Sequence, residues 1–444
     1  MVPVSIQQKQ VIDALLRGEN VFMTGPGGTG KSHVIKTLQE TVGKPMTEAK
    51  GRPFRIAITA LTGCAALLLN EGKTLHSWAG IGLGKDPVPE LLFRIRRNGR
   101  AKKNWVAYDL LVIDEISMAT GALLETLDAV AKAMRRSPKP FGGLQLLFSG
   151  DFYQLPPVTK TGASFAGPGV GRATLFALES PLWRTLVPTS IVLTDMHRQT
   201  DPLFQRILGE ARVGALTAES VALLATRKGL DWQSLKIRPT LLFPRNAEVD
   251  AINDANLRAL KGPKHSYTAK TVGASPRQLN DPAFQRSLAA LDKDAPYRID
   301  LELAVDAQVM LLHNLNPSAG LVNGSRGVVV EFDGEGNPLV EFLNGTKLVL
   351  GPHLWPLESG SEVGREQIPL RLAWACTIHK AQGATLDSAL IDVGDNTFEA
   401  GQAYVALSRV KSIDALYIHD LKADAFWTHS QVTDFYRTIR HTSE

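Results

Sequence analysis

Gly25-Pro26-Gly27-Gly28-Thr29-Gly30-Lys31-Ser32 stands between a strand-like run at residues 20–24 and a helical pattern. A phosphate-binding loop needs this context. Glycines let successive backbone N–H groups turn inward around a β-phosphate, and the following helix presents its positive end to the same anion. Gly25, Gly27, Gly28, Thr29 and Gly30 form the cradle, Lys31 reaches the β- and γ-phosphates, and the Ser32 hydroxyl suits Mg²⁺. The full pattern between strand and helix argues against a glycine-rich turn with a chance lysine.

The chain around this loop alternates as an α/β domain with a largely parallel sheet should: further strand-like runs fall at 54–59, 110–113 and 144–149, with helical patterns between them. A second series begins near 190–194 and continues through 240–243, 371–377, 388–393 and 415–418. Two tandem α/β domains are therefore expected, the first over 1–76 and 107–190, the second over 191–265 and 365–444. Residues 77–106 read as a small insertion. Residues 266–364 read as a β-rich one, in which runs at 327–332 and 339–342 flank Asp333-Gly334-Glu335-Gly336-Asn337, a hairpin signal.

With 444 residues, 44% hydrophobic and 21% charged, the chain can bury real cores, which argues against wholesale disorder or a coiled coil. No stretch approaches the roughly 18 apolar residues of a membrane span. The N-terminus lacks an export pattern, and Cys64 and Cys376 are too few for a disulfide framework, so a cytoplasmic protein is expected, nucleoid-associated in a bacterium. The excess of 49 Lys+Arg over 44 Asp+Glu, a net +5, says little by itself.

Four further features point to nucleoside triphosphate hydrolysis. Asp114-Glu115 ends the run at 110–113, at the carboxyl end of a buried strand where α/β proteins bind ligands. Asp114 suits the Mg²⁺ shell, and Glu115 suits orienting or deprotonating the attacking water. Gln154 follows the run at 144–149 and could bond both the γ-phosphate and that water. Arg198 and Arg409, both in the second series, would stabilise the charge that phosphoryl transfer builds if the nucleotide sits between the domains.

The order of these motifs resembles the superfamily 1 helicases of the Pif type (petite integration frequency), from Gln8 to about Ile418. The resemblance rests on ITALTGCAA at 58–66, TLHSWAGIG at 74–82, the long family signature at 124–158, LVNGSRGVVV at 321–330, LAWACTIHKAQGATL at 372–386 and YVALSR at 404–409. It implies two RecA-like domains with ATP and Mg²⁺ between them, a wedge insertion in the first and a barrel of the Src-homology type in the second. Gln8 becomes the adenine reader, Gln154 the sensor, and Arg198 and Arg409 the γ-phosphate arginines. Thr59, Thr62, His76, Thr377, His379 and Lys380 become candidate DNA contacts. The implied activity is 5′→3′ translocation on single-stranded DNA with unwinding of forked duplex, serving replication, repair or recombination, and a monomeric motor is expected.

Arg94, Arg96, Arg97, Arg100, Lys102 and Lys103 crowd the wedge. A charge run of this kind is usually a solvated helix face, but its place favours contact with DNA phosphates, with Arg96 and Arg97 as the named candidates. Trp78 and Trp374 read as core rather than base platforms. RNA–DNA hybrids and four-stranded guanine structures remain open as substrates. The rivals are an ATP-gated single-strand clamp and a translocase that strips proteins without separating strands.

Overall fold

The computed structural model describes residues 5–69, 73–82, 84, 86–157, 176–243, 246–316, 319–357 and 361–442. Its first sheet has six parallel strands: β1 (Val21–Thr24), β2 (Ile56–Ala60), β3 (Lys73–Thr74), β4 (Leu110–Asp114), β5 (Gln145–Gly150) and β6 (Thr189–Val192), in the order β3-β2-β4-β5-β1-β6. The central strands are apolar almost throughout because both faces are covered. Phe22, Leu111 and Ile113 enter one core, while Val21, Met23, Leu110 and Val112 enter the other, as strand alternation requires.

β6 corrects an expectation. The run at 190–194 is expected to start the second series, yet it pairs in parallel with β1, Phe22 opposite Ser190. A short β-branched run carries no mark of the sheet it joins; pairing with β1, on the side that β5 leaves open, decides it.

The second parallel sheet orders Ala375–Thr377, Thr240–Phe243, Ala389–Val393 and Leu416–Leu421. Here too one reading changes. Residues 371–377 form two strands: Leu370–Leu372 runs antiparallel to Gln308–Leu311 in the insertion, and Ala375–Thr377 joins the parallel sheet. Both halves are buried, so periodicity shows no break. Trp374, at the crossing, packs in the core of the insertion.

The insertion is β-rich, as expected. Five antiparallel strands include the hairpin of Arg326–Phe332 with Pro338–Phe342, whose turn is fixed by Asp333 accepting from the backbone N–H groups of Glu335 and Asn337. A three-stranded sheet and the helix Pro282–Asp294 accompany them. Insertion 77–106 is helical: Val88–Arg97 and Gly99–Ala107 are divided at Asn98, whose side chain caps the second. Trp78 and Trp105 meet at 5.0 Å in the first core, consistent with a structural Trp78.

His313 and His353 stack with ring centroids 4.0 Å apart. Burial lowers both imidazoles, His353 to about 4, with the neighbouring His313 contributing. Between about pH 4 and 6.5 the unfolded chain therefore binds more protons than the folded one, so this pair loses stability as pH falls through that window. Melting temperatures of the protein and of His353→Phe should diverge there, the variant declining less on acidification. Parallel pH curves for the two proteins would refute the assignment.

The last helix, Ser430–Thr442, crosses back from the second half. Val432, Tyr436 and Ile439 complete the first core, and Phe435 packs on Phe22, Phe152 and Trp183. The chain's end thus packs against the first domain, although the sequence groups 365–444 with the second.

Candidate nucleotide site and strand track

The loop follows β1 and leads into the helix Lys31–Leu38. Gly28 (φ +90°) and Gly30 (φ +87°) take left-handed backbone, and a Cβ at Gly30 would stand 2.4 Å from Gln8 Nε2. The left-handed backbone favours glycine at position 30, and a side chain there would also displace the Gln8 amide. Gln8 is buried; its amide donates to the Thr29 carbonyl, while its Oε1 accepts from Ser5 N–H at the start of helix Ile6–Leu16. This fixes the glutamine against the loop. Lys31 Nζ donates to the carbonyls of Gly25 (2.7 Å) and Pro26 (3.0 Å). Burial lowers its ammonium, against the pull of Asp151, Glu115 and Asp114.

Asp114 ends β4, and Glu115 follows in left-handed backbone (φ +57°), a strained conformation for a residue with a Cβ. Burial raises both carboxyls, and the charge of Asp114 helps push Glu115 to about 7, while Lys31 and Arg409 restrain it. Gln154, also buried, lies just beyond β5, its N–H bonded to the Asp151 carbonyl. Lys31, Asp114, Glu115 and Gln154 thus gather at the carboxyl ends of β1, β4 and β5.

Arg409 of the second domain and Arg198, in the segment that leaves β6, close this group. Arg409 is buried, its Nε on the Val405 carbonyl and its Nη1 on those of Ala381 (3.3 Å) and Ala384 (3.5 Å). Arg198 Nη1 donates to the Ser408 carbonyl. A Cβ at Gly27 would meet Arg409 Nη2 at 3.5 Å and Arg198 Nη1 at 3.6 Å, so both guanidiniums face the loop. Burial, then the charge of Arg198, lowers Arg409 to about 9. Two like charges brought together, Arg409 buried and Arg198 partly so, make a strong site for a polyphosphate.

Three contacts here escape residue-by-residue reading. Tyr404 hydroxyl accepts from Gly27 N–H at 3.0 Å, and Gln382 Nε2 donates to Glu115 Oε2 at 3.0 Å. Both lie inside the family motifs of the sequence, the one signal that could have found them. The third is Arg212, at the end of helix Pro202–Arg212, whose forked bond to Asp151 (2.9 and 2.8 Å) ties the second domain to the loop after β5. Tyr436 hydroxyl donates to the same carboxylate, and Tyr153 stacks on Tyr436 at 4.6 Å. Nothing local distinguishes Arg212 from an ordinary helix-end cation.

The strand candidates divide. Thr62 caps the helix after β2, and His76 lies in the helix after β3. Thr377 ends its strand, and His379 follows in Ile378–Ala381, its imidazole lowered by burial. These four share the carboxyl ends of the two parallel sheets. Thr59 is fully buried and donates to the Val112 carbonyl inside the first sheet, away from that group. The side chain of Lys380 lies outside the described residues. Arg96, Arg97, Arg100, Lys102 and Lys103 are exposed on the helical insertion, whereas Arg94 is engaged by Asp86.

Among the described residues no three His, Cys, Asp or Glu side chains gather to hold a metal. A hydroxyl at Ser32, exposed at the helix start, and the carboxylate of Asp114 are hard oxygen donors of the kind that suits Mg²⁺ shared with phosphates.

A phosphate loop on one parallel sheet, faced by Arg198 in the segment that leaves that sheet and closed by Arg409 from a second, defines a tandem RecA-like P-loop NTPase. Comparison narrows the class. The PIF1-like helicase family model matches residues 3–207, and one described as DNA helicase Pif1, 2B domain, matches 288–332 within the β-rich insertion. The chain is 36% identical over its whole length to the ATP-dependent DNA helicase PIF1 of Emericella nidulans, and it spans 64% of that relative. The crystal structure of Pif1 helicase from Candida albicans covers 99% of the chain at 33% identity with a TM-score of 0.75, and all of that structure is matched. Bacteroides Pif1 bound to ssDNA covers all of the chain at 27% identity, with 98% of that structure matched and a TM-score of 0.64. The chain belongs to the PIF1-like helicase family.

Proposed function

We propose that the chain is an ATP-dependent DNA helicase that moves 5′→3′ on single-stranded DNA and separates the duplex ahead of it. The observation that carries this reading is the convergence of Arg409 and Gln382 from the second domain, with Arg198 from the segment that joins the two, on the loop and acidic pair of the first. A γ-phosphate placed there would draw both arginines inward, and its loss would release them, so hydrolysis alters the spacing of two domains that each carry part of the strand track.

In this mechanism the loop N–H groups and Lys31 hold the phosphates, and Gln8 stands where it can read the base. Glu115 orients or deprotonates the attacking water, Gln154 senses the γ-phosphate, and the arginines stabilise the transferring group. Ser32 and Asp114 would hold Mg²⁺, which when bound would supply charge neutralisation for the phosphates. Thr62, His76, Thr377 and His379 grip the strand, with residues 77–106 as the wedge at the fork. The names of the PIF1 relatives and the DNA-bound Bacteroides structure support the substrate, and 5′→3′ polarity is the property of the family.

The test is unwinding of duplexes bearing a 5′ tail, a 3′ tail or none. ATP-dependent opening of the 5′-tailed substrate alone is expected. Opening of the 3′-tailed one alone would reverse the polarity; hydrolysis stimulated by single strands without opening any substrate would favour the protein-stripping translocase. No stimulated hydrolysis would favour the clamp.

The basic cluster supplies a second expectation. Arg96→Ala, Arg97→Ala and Arg100→Ala together should lower forked-DNA affinity and flatten its dependence on salt, by about one unit of log–log slope for each phosphate that is no longer neutralised. ATP hydrolysis without DNA should be preserved. An unchanged salt slope would assign the cluster to a solvated face.

A further inference from the structure

Gln382 neither grips the strand nor holds the nucleotide in the proposed mechanism, yet it lies beside the strand candidates in the chain while its side chain reaches the hydrolytic residues. It follows the strand Ala375–Thr377 and the helix Ile378–Ala381, which carry the strand candidates Thr377 and His379, and its own N–H donates to the His379 carbonyl at 3.2 Å. The side chain is 4% exposed. Its amide nitrogen donates to Glu115 Oε2 at 3.0 Å and reaches Gln154 Oε1 at 3.4 Å, contacting both the hydrolytic carboxylate and the sensor. Its carbonyl oxygen is buried without a partner, so the amide is aimed into the site rather than held in a closed network. On either side, the carbonyls of Ala381 and Ala384 accept from Arg409 Nη1, which binds the same turn to a γ-phosphate arginine.

The geometry points to Gln382 as a positioning residue that conveys occupancy of the strand track to Glu115 and Gln154, so that DNA sets the orientation of the hydrolytic pair. A hydrogen bond near 3 Å weakens steeply when its donor turns or withdraws by about an ångström, so a small movement of the 377–382 turn reorients the carboxylate. The residue type fits this task. Asn would fall one methylene short of Glu115, Glu would set a second carboxylate against it, and Lys would hold it in an ion pair instead of a reversible contact. The neutral amide donates without fixing the charge.

This inference rests on the proposed DNA-stimulated hydrolysis, and the experiment separates the two. Steady-state ATP hydrolysis of the full chain is measured with and without oligo(dT) for the unaltered protein, Gln382→Met and Gln382→Asn. Methionine keeps length and volume while removing the donor. For both variants the DNA-stimulated kcat should fall on the order of tenfold, while KM for ATP and the Kd for oligo(dT) stay within about twofold. In a Gln154→Ala background, adding Gln382→Met should cost less than it does alone, because the two amides act on one another.

A stimulated kcat within about twofold of the unaltered protein in Gln382→Met would overturn the inference, as would a loss confined to KM or to DNA affinity. An equal fall in the stimulated and unstimulated rates would also overturn it, assigning the residue to the chemistry without coupling. Should the unaltered protein show no stimulation by oligo(dT), the helicase reading itself fails, and the inference with it.

Discussion

Lys31→Ala is expected to lower ATP turnover on the order of 10³-fold and to abolish unwinding while single-strand binding is retained. Its ammonium lies on the Gly25 and Pro26 carbonyls at the mouth of the loop, in a buried setting where Asp151, Glu115 and Asp114 supply the opposing charge. A cation so placed acts strongly on the charge that develops between the β- and γ-phosphates, because little water screens it. The substitution removes two hydrogen bonds from the free protein, and the loop's backbone is set by its glycines, so the fold should persist. The proposed strand contacts, Thr62, His76, Thr377 and His379, lie on other elements. Unwinding by the variant within tenfold of the unaltered protein, a range far smaller than the expected loss, would refute the assignment.

Arg212→Met should cost about 3–5 kcal/mol of stability. Asp151 is fully buried, and Arg212 is nearly so. Burial alone would lower the guanidinium, yet Asp151 more than restores it. Without that fork the carboxylate keeps, among the described residues, the Tyr436 hydroxyl and the Tyr153 N–H as hydrogen-bond donors and the charge of Lys31 nearby, too little for a charge away from water. The Arg212 guanidinium also covers the faces of Tyr153 and Tyr436, at 4.4 and 5.0 Å, so the junction between the domains loosens. Removing both charges, as Asp151→Asn with Arg212→Met, should recover much of the loss, since the penalty belongs to the unpaired ion. Urea midpoints of the single and double variants check this. A single variant costing less than about 1 kcal/mol would show that the pair is solvated after all.

Lys31, Asp114, Glu115, Gln154, Arg198 and Arg409, singled out in the sequence for the residue types that phosphate chemistry would use, come together around the loop. The hairpin at Asp333–Asn337 is likewise legible in the sequence, since a turn is a local event. Thr59 shows the limit. Its motif pointed to DNA, but its hydroxyl is spent on Val112, a partner 53 residues away in sequence. The run at 190–194 falls in the wrong series for a related reason: β-branched residues specify extended backbone and leave the choice of neighbouring strand to the whole sheet.

The sequence by itself determined the phosphate loop, the acidic pair after β4, the α/β alternation and the two insertions, all encoded in short spacings. Tertiary structure alone decided that Gln382 meets Glu115, that Arg212 neutralises Asp151 and that the last helix completes the first core. These partners are separated by 267 residues for Gln382 and Glu115 and by 61 for Arg212 and Asp151. Such contacts depend on the mutual packing of distant elements, and neither local propensity nor periodicity carries that information.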